Sequence, residues 1–181
     1  NFGGTLVHGS NKLQIDHLRA FSGRSMLDFY GAVGPRPPTG QAADEPAYRY
    51  DLISAKSIIS PEQSPEAPLN AYVRLGGLYL PLQKKLSADE IVLKGGPGEA
   101  LGTAAIQFAP GKNPGISAAF SITDMQVSQA KQLWPWFSAA PARQWVMQNV
   151  FGGRVKDATV QLQVPPGRLG NGIPLNGTES F

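Results

Sequence analysis

Residues 115–123 read GISAAFSIT, and this stretch decides the fold because apolar and small polar side chains alternate along it with a period of two. Such alternation is typical of a β-strand that has one face in a core and the other in water. The pattern places Ile116, Phe120 and Ile122 on one face of the strand. We therefore predict a strand with one apolar face at this position.

Residues 155–164, VKDATVQLQV, show the same alternation, with Val160 and Leu162 on the apolar face. Less regular runs of the same kind are separated by Gly- and Pro-rich turn signals. These runs lie at residues 13–18, 26–33, 48–59, 70–80, 88–93 and 102–109. Eight or more one-sided strands form a sheet whose large apolar face must close into a barrel, pack as a sandwich or line a groove. Closure is the more common outcome, because monomers rarely leave large apolar patches bare.

The composition favours a single β-rich domain over residues 1–181. A chain of this length buries a core of its own, and 21 glycines, 16 prolines and 16% charged residues favour turns and short strands over a helix bundle. The net charge of +3 is scattered, which argues against nucleic acid as a partner. The absence of cysteine excludes disulfides and cysteine metal sites. Because the chain begins without methionine in a strand-like run, we expect it to be a piece of a longer protein.

One short amphipathic helix is predicted near residues 138–150. It lies in the stretch 131–155, which holds all three tryptophans of the chain. The apolar stripe of this helix predicts that Trp145 faces the sheet. Gly152 and Gly153 follow the helix and are expected to end it.

Three further local predictions concern caps and loops. Ser128 is expected to cap a short turn of helix that Pro135 ends, and Ser138 to cap the helix that follows. The Pro-rich stretches 34–46 and 60–68 are interpreted as exposed loops between strands.

The sequence contains no constellation typical of catalysis or of metal binding. His8 and His17 lack the spacing of a metal-binding pair, and no serine stands in a Gly-x-Ser-x-Gly turn. Asp89 and Glu90 are adjacent, so in a strand they point to opposite faces and make a poor acid–base pair. The run KGGPGE at residues 94–99 precedes a strand-like run, whereas a phosphate loop needs a helix there, so we interpret it as a hairpin turn. We therefore predict no enzymatic activity, no metal site and no cofactor.

A weak internal repeat suggests a repeated hairpin. Its two copies have equal spacing and are Leu13, Asp16, Leu18 and Gly23, and Leu86, Asp89, Ile91 and Gly96. Each copy precedes a predicted strand that contains a glycine.

Between residues 116 and 169, a strand is followed by Leu-Trp-Pro, then by Ala-Arg and Trp-Val, and then by Gly-Gly-Arg-Val at the start of a new strand. This order and spacing resemble the AsmA-like superfamily of Gram-negative envelope proteins, in the branch related to YhdP and TamB. The residues that form this structural motif are Trp134, Pro135, Trp136, Arg143, Trp145, Gly152 and Gly153.

The resemblance implies a mainly β fold, an antiparallel meander sheet curled into a taco-like groove or an open barrel. It implies a non-enzymatic segment of a periplasmic protein that transports phospholipid between the inner and outer membranes in envelope biogenesis. An inner-membrane anchor would then lie outside this segment. Phospholipid acyl chains are the expected partner of the apolar groove. The expected contact residues are Ile116, Phe120, Ile122, Val160 and Leu162.

An alternative hypothesis keeps the β structure closed. The chain would then be a scaffold or an assembly factor that contacts outer-membrane proteins through its strand edges. Binding of a hydrophobic dye separates the two hypotheses, because an open groove binds the dye strongly and a closed barrel binds it weakly.

Overall fold

A computed structural model describes residues 2–7, 11–37, 45–62, 64–135 and 138–169. The described residues contain nine strands and two short helices. In chain order these are β1 (Phe2–Val7), β2 (Lys12–Ser22), β3 (Ser25–Pro35), β4 (Tyr48–Ile59), β5 (Leu69–Leu80), β6 (Lys85–Gly95), β7 (Gly98–Ala109), β8 (Lys112–Gln126), α1 (Val127–Leu133), α2 (Ala140–Asn149) and β9 (Arg154–Val164).

All nine strands belong to one antiparallel sheet, in which each strand pairs with its neighbours in the sequence. This meander confirms the predicted mainly β fold. Within the described residues, β1 and β9 are the two edges of the sheet and do not pair with each other. The sheet is therefore open.

Bulges interrupt seven of the eight strand pairings, and only the β8–β9 pairing is regular. A bulge adds a residue to one strand and increases the local twist, so repeated bulges curl a sheet. One cluster of contacting buried side chains extends from Phe29 on β3 to Met125 at the end of β8. In a flat sheet these strands would lie about 24 Å apart, at about 4.8 Å per strand.

The weak internal repeat corresponds to two equivalent hairpins, β2–β3 and β6–β7. Asp16 lies at the register shift of the first hairpin, and Asp89 lies at that of the second. Gly23 and Gly96 occupy the two hairpin turns with φ angles of 57° and 59°. This left-handed conformation favours glycine, which explains why both copies of the repeat end on it.

The two helices connect β8 to β9, and neither begins with a side-chain capping bond. The residue before α1 is Gln126, and the residue before α2 is Ala139 in a left-handed conformation. The predictions that Ser128 and Ser138 cap these helices are therefore wrong. Ser128 lies inside α1, and Ser138 precedes α2 by two residues.

The prediction that Gly152 and Gly153 end α2 is wrong, because the helix ends at Asn149 and its C-cap is Val150 in an extended conformation. The two glycines have φ angles of 72° and 83° and turn the chain between α2 and β9. The carbonyl oxygen of Gly153 accepts a hydrogen bond from the backbone N–H of Val127 at 3.1 Å. The start of α1 and the start of β9 are thereby tied together.

The core lies at one end of the sheet, which we call the capped end. Its buried cluster comprises Phe29, Leu69, Ala71, Val73, Leu93, Ala100, Ile122 and Met125. Residues 60–68 and α1 adjoin this cluster. The prediction of an exposed loop at 60–68 is wrong for its serines, because Ser60 and Ser64 are buried. The N–H of Ser60 donates to Oγ of Ser25 at 2.9 Å, and Arg24 Nη2 donates to the carbonyl oxygen of Ser64 at 3.0 Å.

Candidate functional site: the apolar face of the sheet

The five residues predicted to contact lipid lie on one face of β8 and β9, which we call the apolar face. The register puts Phe120 directly opposite Val160, and Leu162 lies two residues further along β9. Ile116 and Ile122 share this face of β8. Ile122 is buried in the core at the capped end, whereas Val160 is 46% exposed. The apolar face therefore passes from buried to exposed along the strands.

The apolar face continues across the whole sheet. Residues in register on neighbouring antiparallel strands project from the same face, so the pairings define rows across the strands. One row crosses all nine strands. It consists of Gly4, Ile15, Gly31, Leu52, Leu75, Ile91, Gly102, Phe120 and Val160. Six members are apolar and three are glycine, so no side chain in this row can form a hydrogen bond.

A neighbouring row of small side chains forms a furrow in the apolar face. The furrow consists of Gly77, Ala88, Ala104 and Ala118. On the side away from the capped end it is bordered by a row of larger residues, Tyr79, Leu86, Ile106 and Ile116. The furrow crosses β5 to β8, about 14 Å at about 4.8 Å per strand. At its β5 end, the Tyr50 hydroxyl and the Ser87 carbonyl oxygen occupy the space that a Cβ on Gly77 would take, so only the part formed by Ala88, Ala104 and Ala118 is lined by methyl groups.

Tyr50 lies at the β5 end of the furrow. It is directly opposite Gly77, and its hydroxyl donates to the carbonyl oxygen of Ser87 on β6 at 2.7 Å. Burial, and secondarily the charge of Asp89, raise the pKa of Tyr50 above its ordinary value of 10.0. The hydroxyl therefore remains a neutral donor at physiological pH and holds the ring in place.

Polar contacts hold α1 against residues 60–68 at the capped end. Lys131 is 2% exposed, and its Nζ lies 2.7 Å from Oε1 of Glu66. The same Nζ lies 5.0 Å from the ring centroid of Phe151. Gln132 donates from Nε2 to the carbonyl oxygens of Glu66 and Ala67, at 3.0 Å and 2.6 Å. Sequence reasoning missed these contacts, because the partners are 65 or 66 residues apart and follow no local pattern.

The inner face of α2 differs from the predicted one. Trp145 is 61% exposed, so the prediction that it faces the sheet is wrong, whereas Arg143 is only 8% exposed. The more buried stripe is Arg143, Val146, Met147 and Val150, at i, i+3, i+4 and i+7. Hydrophobicity favoured Trp145 over Arg143 in the sequence, but the position of α2 in the fold turns the indole outward.

The remaining motif residues lie in the turn between the helices. Trp134 is half-buried, and its Nε1 donates to the carbonyl oxygen of Ser138 at 3.1 Å. Pro135 follows directly after α1 and Trp134, as predicted for a helix stop. Trp136 lies outside the described residues.

The opposite face of the sheet carries cross-strand ion pairs together with the exposed apolar residues Tyr30 and Leu101. Nη2 of Arg74 lies 3.1 Å from Oδ2 of Asp51, and its Nη1 lies 3.3 Å from Oε1 of Glu90. The hydrogen bond and charge of Asp51, followed by the charge of Glu90, raise the pKa of Arg74. Arg19 and Asp28 form a further cross-strand pair at 2.6 Å. These ion pairs therefore lie on the side of the sheet away from the apolar face.

The described part of the chain holds no cluster of three metal-binding side chains. Asp89 and Glu90 lie at the bulge of β6, and Glu90 is engaged by Arg74. Neither described helix has the length and apolar character that crossing a bilayer requires.

Comparisons of the chain with protein-family models, with curated proteins and with solved structures gave no match.

Proposed function

We propose that this chain is a non-enzymatic carrier segment whose apolar face holds phospholipid acyl chains. In this proposal it belongs to a periplasmic, inner-membrane-anchored AsmA-like protein that moves phospholipid between the inner and outer membranes. The observation that carries the proposal is the uninterrupted apolar row across an open nine-stranded sheet. The envelope setting is taken from the resemblance of residues 116–169 to that superfamily.

The exposure of the apolar face supports an apolar ligand. Tyr48, Tyr79 and Val160 all lie on this face and are 45%, 40% and 46% exposed. Tyr48 and Tyr79 are in register on neighbouring strands, so their exposed rings form one apolar patch, which is unfavourable in water and typical of an interaction site. Each methylene group that it removes from water contributes about 0.8 kcal/mol before the entropic cost of binding.

The chemistry of the apolar face supports an acyl chain over a compact ligand. The nine-strand row offers hydrocarbon and glycine and no directional hydrogen-bonding side chain, so it accepts a flexible chain without selecting its length. Specificity for a compact ligand requires placed polar groups. The charged side chains of Arg74, Asp51 and Glu90 lie on the opposite face.

The closed form of the scaffold hypothesis is disfavoured, because β1 and β9 do not pair within the described residues. A role in the assembly of outer-membrane proteins would then depend on the two open edges. The continuous apolar row has no function in that hypothesis, so lipid carriage is the better account.

Four single substitutions in the full-length protein test lipid carriage. Phe120→Asp and Leu162→Asp place a carboxylate on the apolar face. Ser121→Asp and Gln161→Asp place the same group one residue away, on the polar face of the same strands. The measurement is the amount of co-purified phospholipid by native mass spectrometry, together with photo-crosslinking to lipid.

We expect the two apolar-face variants to lose at least about tenfold of the bound phospholipid, since burying a carboxylate against hydrocarbon is strongly unfavourable. The two polar-face variants should retain the wild-type amount. Equal lipid content in all four variants, with circular dichroism showing an intact sheet, would refute the proposal.

A further inference from the structure

Arg143 is an unpaired cation on the inner face of α2. It is 8% exposed, and its Nε and Nη2 atoms are buried without a hydrogen-bond partner in the described chain. None of the ion pairs found among the described residues includes it. The sequence of α2, APARQWVMQN, contains no carboxylate that could neutralise it.

Burial of the charged Arg143 guanidinium is energetically unfavourable when no anion pairs with it. Arginine keeps its charge in proteins, and a buried charge that has lost its water needs a counter-charge and hydrogen bonds. The two unsatisfied atoms, Nε and Nη2, lie on one edge of the planar guanidinium. That edge donates two parallel hydrogen bonds and matches two oxygens of a phosphate.

We propose that Arg143 binds the phosphate group of a phospholipid whose acyl chains lie on the apolar face. This inference rests on the proposed function and adds the position of the headgroup. The chain that follows α2 returns to α1 at the capped end, where the ring centroid of Phe151 lies 5.0 Å from Nζ of Lys131 and the N–H of Val127 donates to the carbonyl oxygen of Gly153. The headgroup is therefore placed near the capped end, and the acyl chains extend over the apolar face toward the open end.

Access to Arg143 requires a displacement of α2, because Nε and Nη2 are shielded from solvent. Two features of α2 favour such a displacement. Its first turn has no side-chain cap, and Trp145 on its outer face is 61% exposed and contributes little to packing.

Thermal unfolding of the full chain with three soluble probes tests the inference. The probes are inorganic phosphate, dihexanoyl phosphatidylglycerol below its micelle concentration, and dihexanoylglycerol, which has the same chains and no phosphate. The proteins are the wild type, Arg143→Met and Arg49→Met. Arg49→Met is the matched control, because it makes the same substitution at an exposed position of β4 on the opposite face of the sheet, in register with Leu78.

We expect Arg143→Met to bind dihexanoyl phosphatidylglycerol roughly 10- to 100-fold more weakly than the wild type, the usual effect of removing hydrogen bonds to a charged group. Its affinity for dihexanoylglycerol should equal that of the wild type. Arg49→Met should bind both lipids as the wild type does. Without ligand, Arg143→Met should unfold at the wild-type temperature or higher, because methionine fills similar space without an unpaired charge.

The outcomes separate the two proposals. If the wild type and Arg143→Met bind dihexanoyl phosphatidylglycerol with equal affinity, Arg143 does not bind the headgroup. That result does not contradict the binding of acyl chains on the apolar face. Failure of the wild type to bind dihexanoylglycerol overturns lipid carriage. If inorganic phosphate then stabilises the wild type but not Arg143→Met, Arg143 is a site for free phosphate and the headgroup assignment is wrong.

Discussion

Met125 and Trp145 lie 20 residues apart in the chain and in opposite environments. Met125 is completely buried at the end of β8, whereas Trp145 is 61% exposed on α2. The contribution of an apolar side chain to stability depends on the area it removes from water and on the contacts it makes. Trp145 is the larger residue, but it therefore contributes less to the stability of the fold than Met125.

Truncation of the two residues should show this difference. We expect Met125→Ala to lower the free energy of unfolding by about 2–5 kcal/mol, because it leaves a cavity in the core. Trp145→Ala should lower it by less than about 1 kcal/mol, as for other exposed positions. Urea denaturation of both variants measures the difference. A loss in Trp145→Ala as large as that in Met125→Ala would show that the indole packs against the protein.

The β5–β6 hairpin contains two adjacent glycines with different surroundings. A Cβ on Gly77 would collide with the carbonyl oxygen of Ser87 and would lie 2.8 Å from Cα of Ala88. A Cβ on Gly76 would meet no atom closer than Oε2 of Glu90 at 3.7 Å, an ordinary contact. The bulge at this point brings the β6 backbone against Gly77 alone.

Substitution of each glycine by alanine tests this difference between the surroundings of Gly76 and Gly77. Gly77→Ala should lower the free energy of unfolding by about 2 kcal/mol or more, because the clash is with backbone atoms that cannot rotate away. Gly76→Ala should change it by less than about 1 kcal/mol, and a small gain is the expected sign, since alanine restricts the unfolded chain. Chemical denaturation compares the two variants. Equal losses would mean that the β6 backbone approaches Gly76 as closely as Gly77.

The molecule as a whole has one buried end and one exposed end. Residues 69–73 and 93–95 contribute to the core at the capped end, where α1 and residues 60–68 adjoin the cluster. The opposite ends of the same strands, residues 77–80 and 85–88, are mostly half-buried. Local stability follows the density of buried contacts, so the two ends of one strand should differ.

Native-state hydrogen exchange should reveal this gradient within single strands. We expect the hydrogen-bonded amides of residues 69–73 to exchange at least about tenfold more slowly than those of residues 77–80 on the same strand. Addition of dihexanoyl phosphatidylglycerol should slow exchange at 77–80 more than at 69–73, because the lipid covers the exposed part of the apolar face. Uniform protection along β5 without lipid would indicate a single closed core and would contradict the open sheet.

Much of the sheet follows from local patterns. The period-two alternation at residues 115–123 and 155–164 predicted two strands and the shared face of Phe120, Val160 and Leu162, because successive side chains of any strand point to opposite sides. Turn glycines such as Gly96 marked the hairpins, because a left-handed backbone favours glycine. These features depend only on neighbours in the chain, so the sequence by itself determined them.

Only the tertiary structure decided whether the sheet closes, what covers its capped end and which side of α2 faces inward. The sheet is open because β1 and β9 do not pair within the described residues, and no local pattern encodes that outcome. The cover depends on Lys131 and Glu66, which are 65 residues apart and meet because the sheet curls. The hydrophobic pattern of α2 predicted that Trp145 faces inward, but Trp145 is exposed in the structure. Contacts made across the whole fold outweigh the preference of a single side chain for burial.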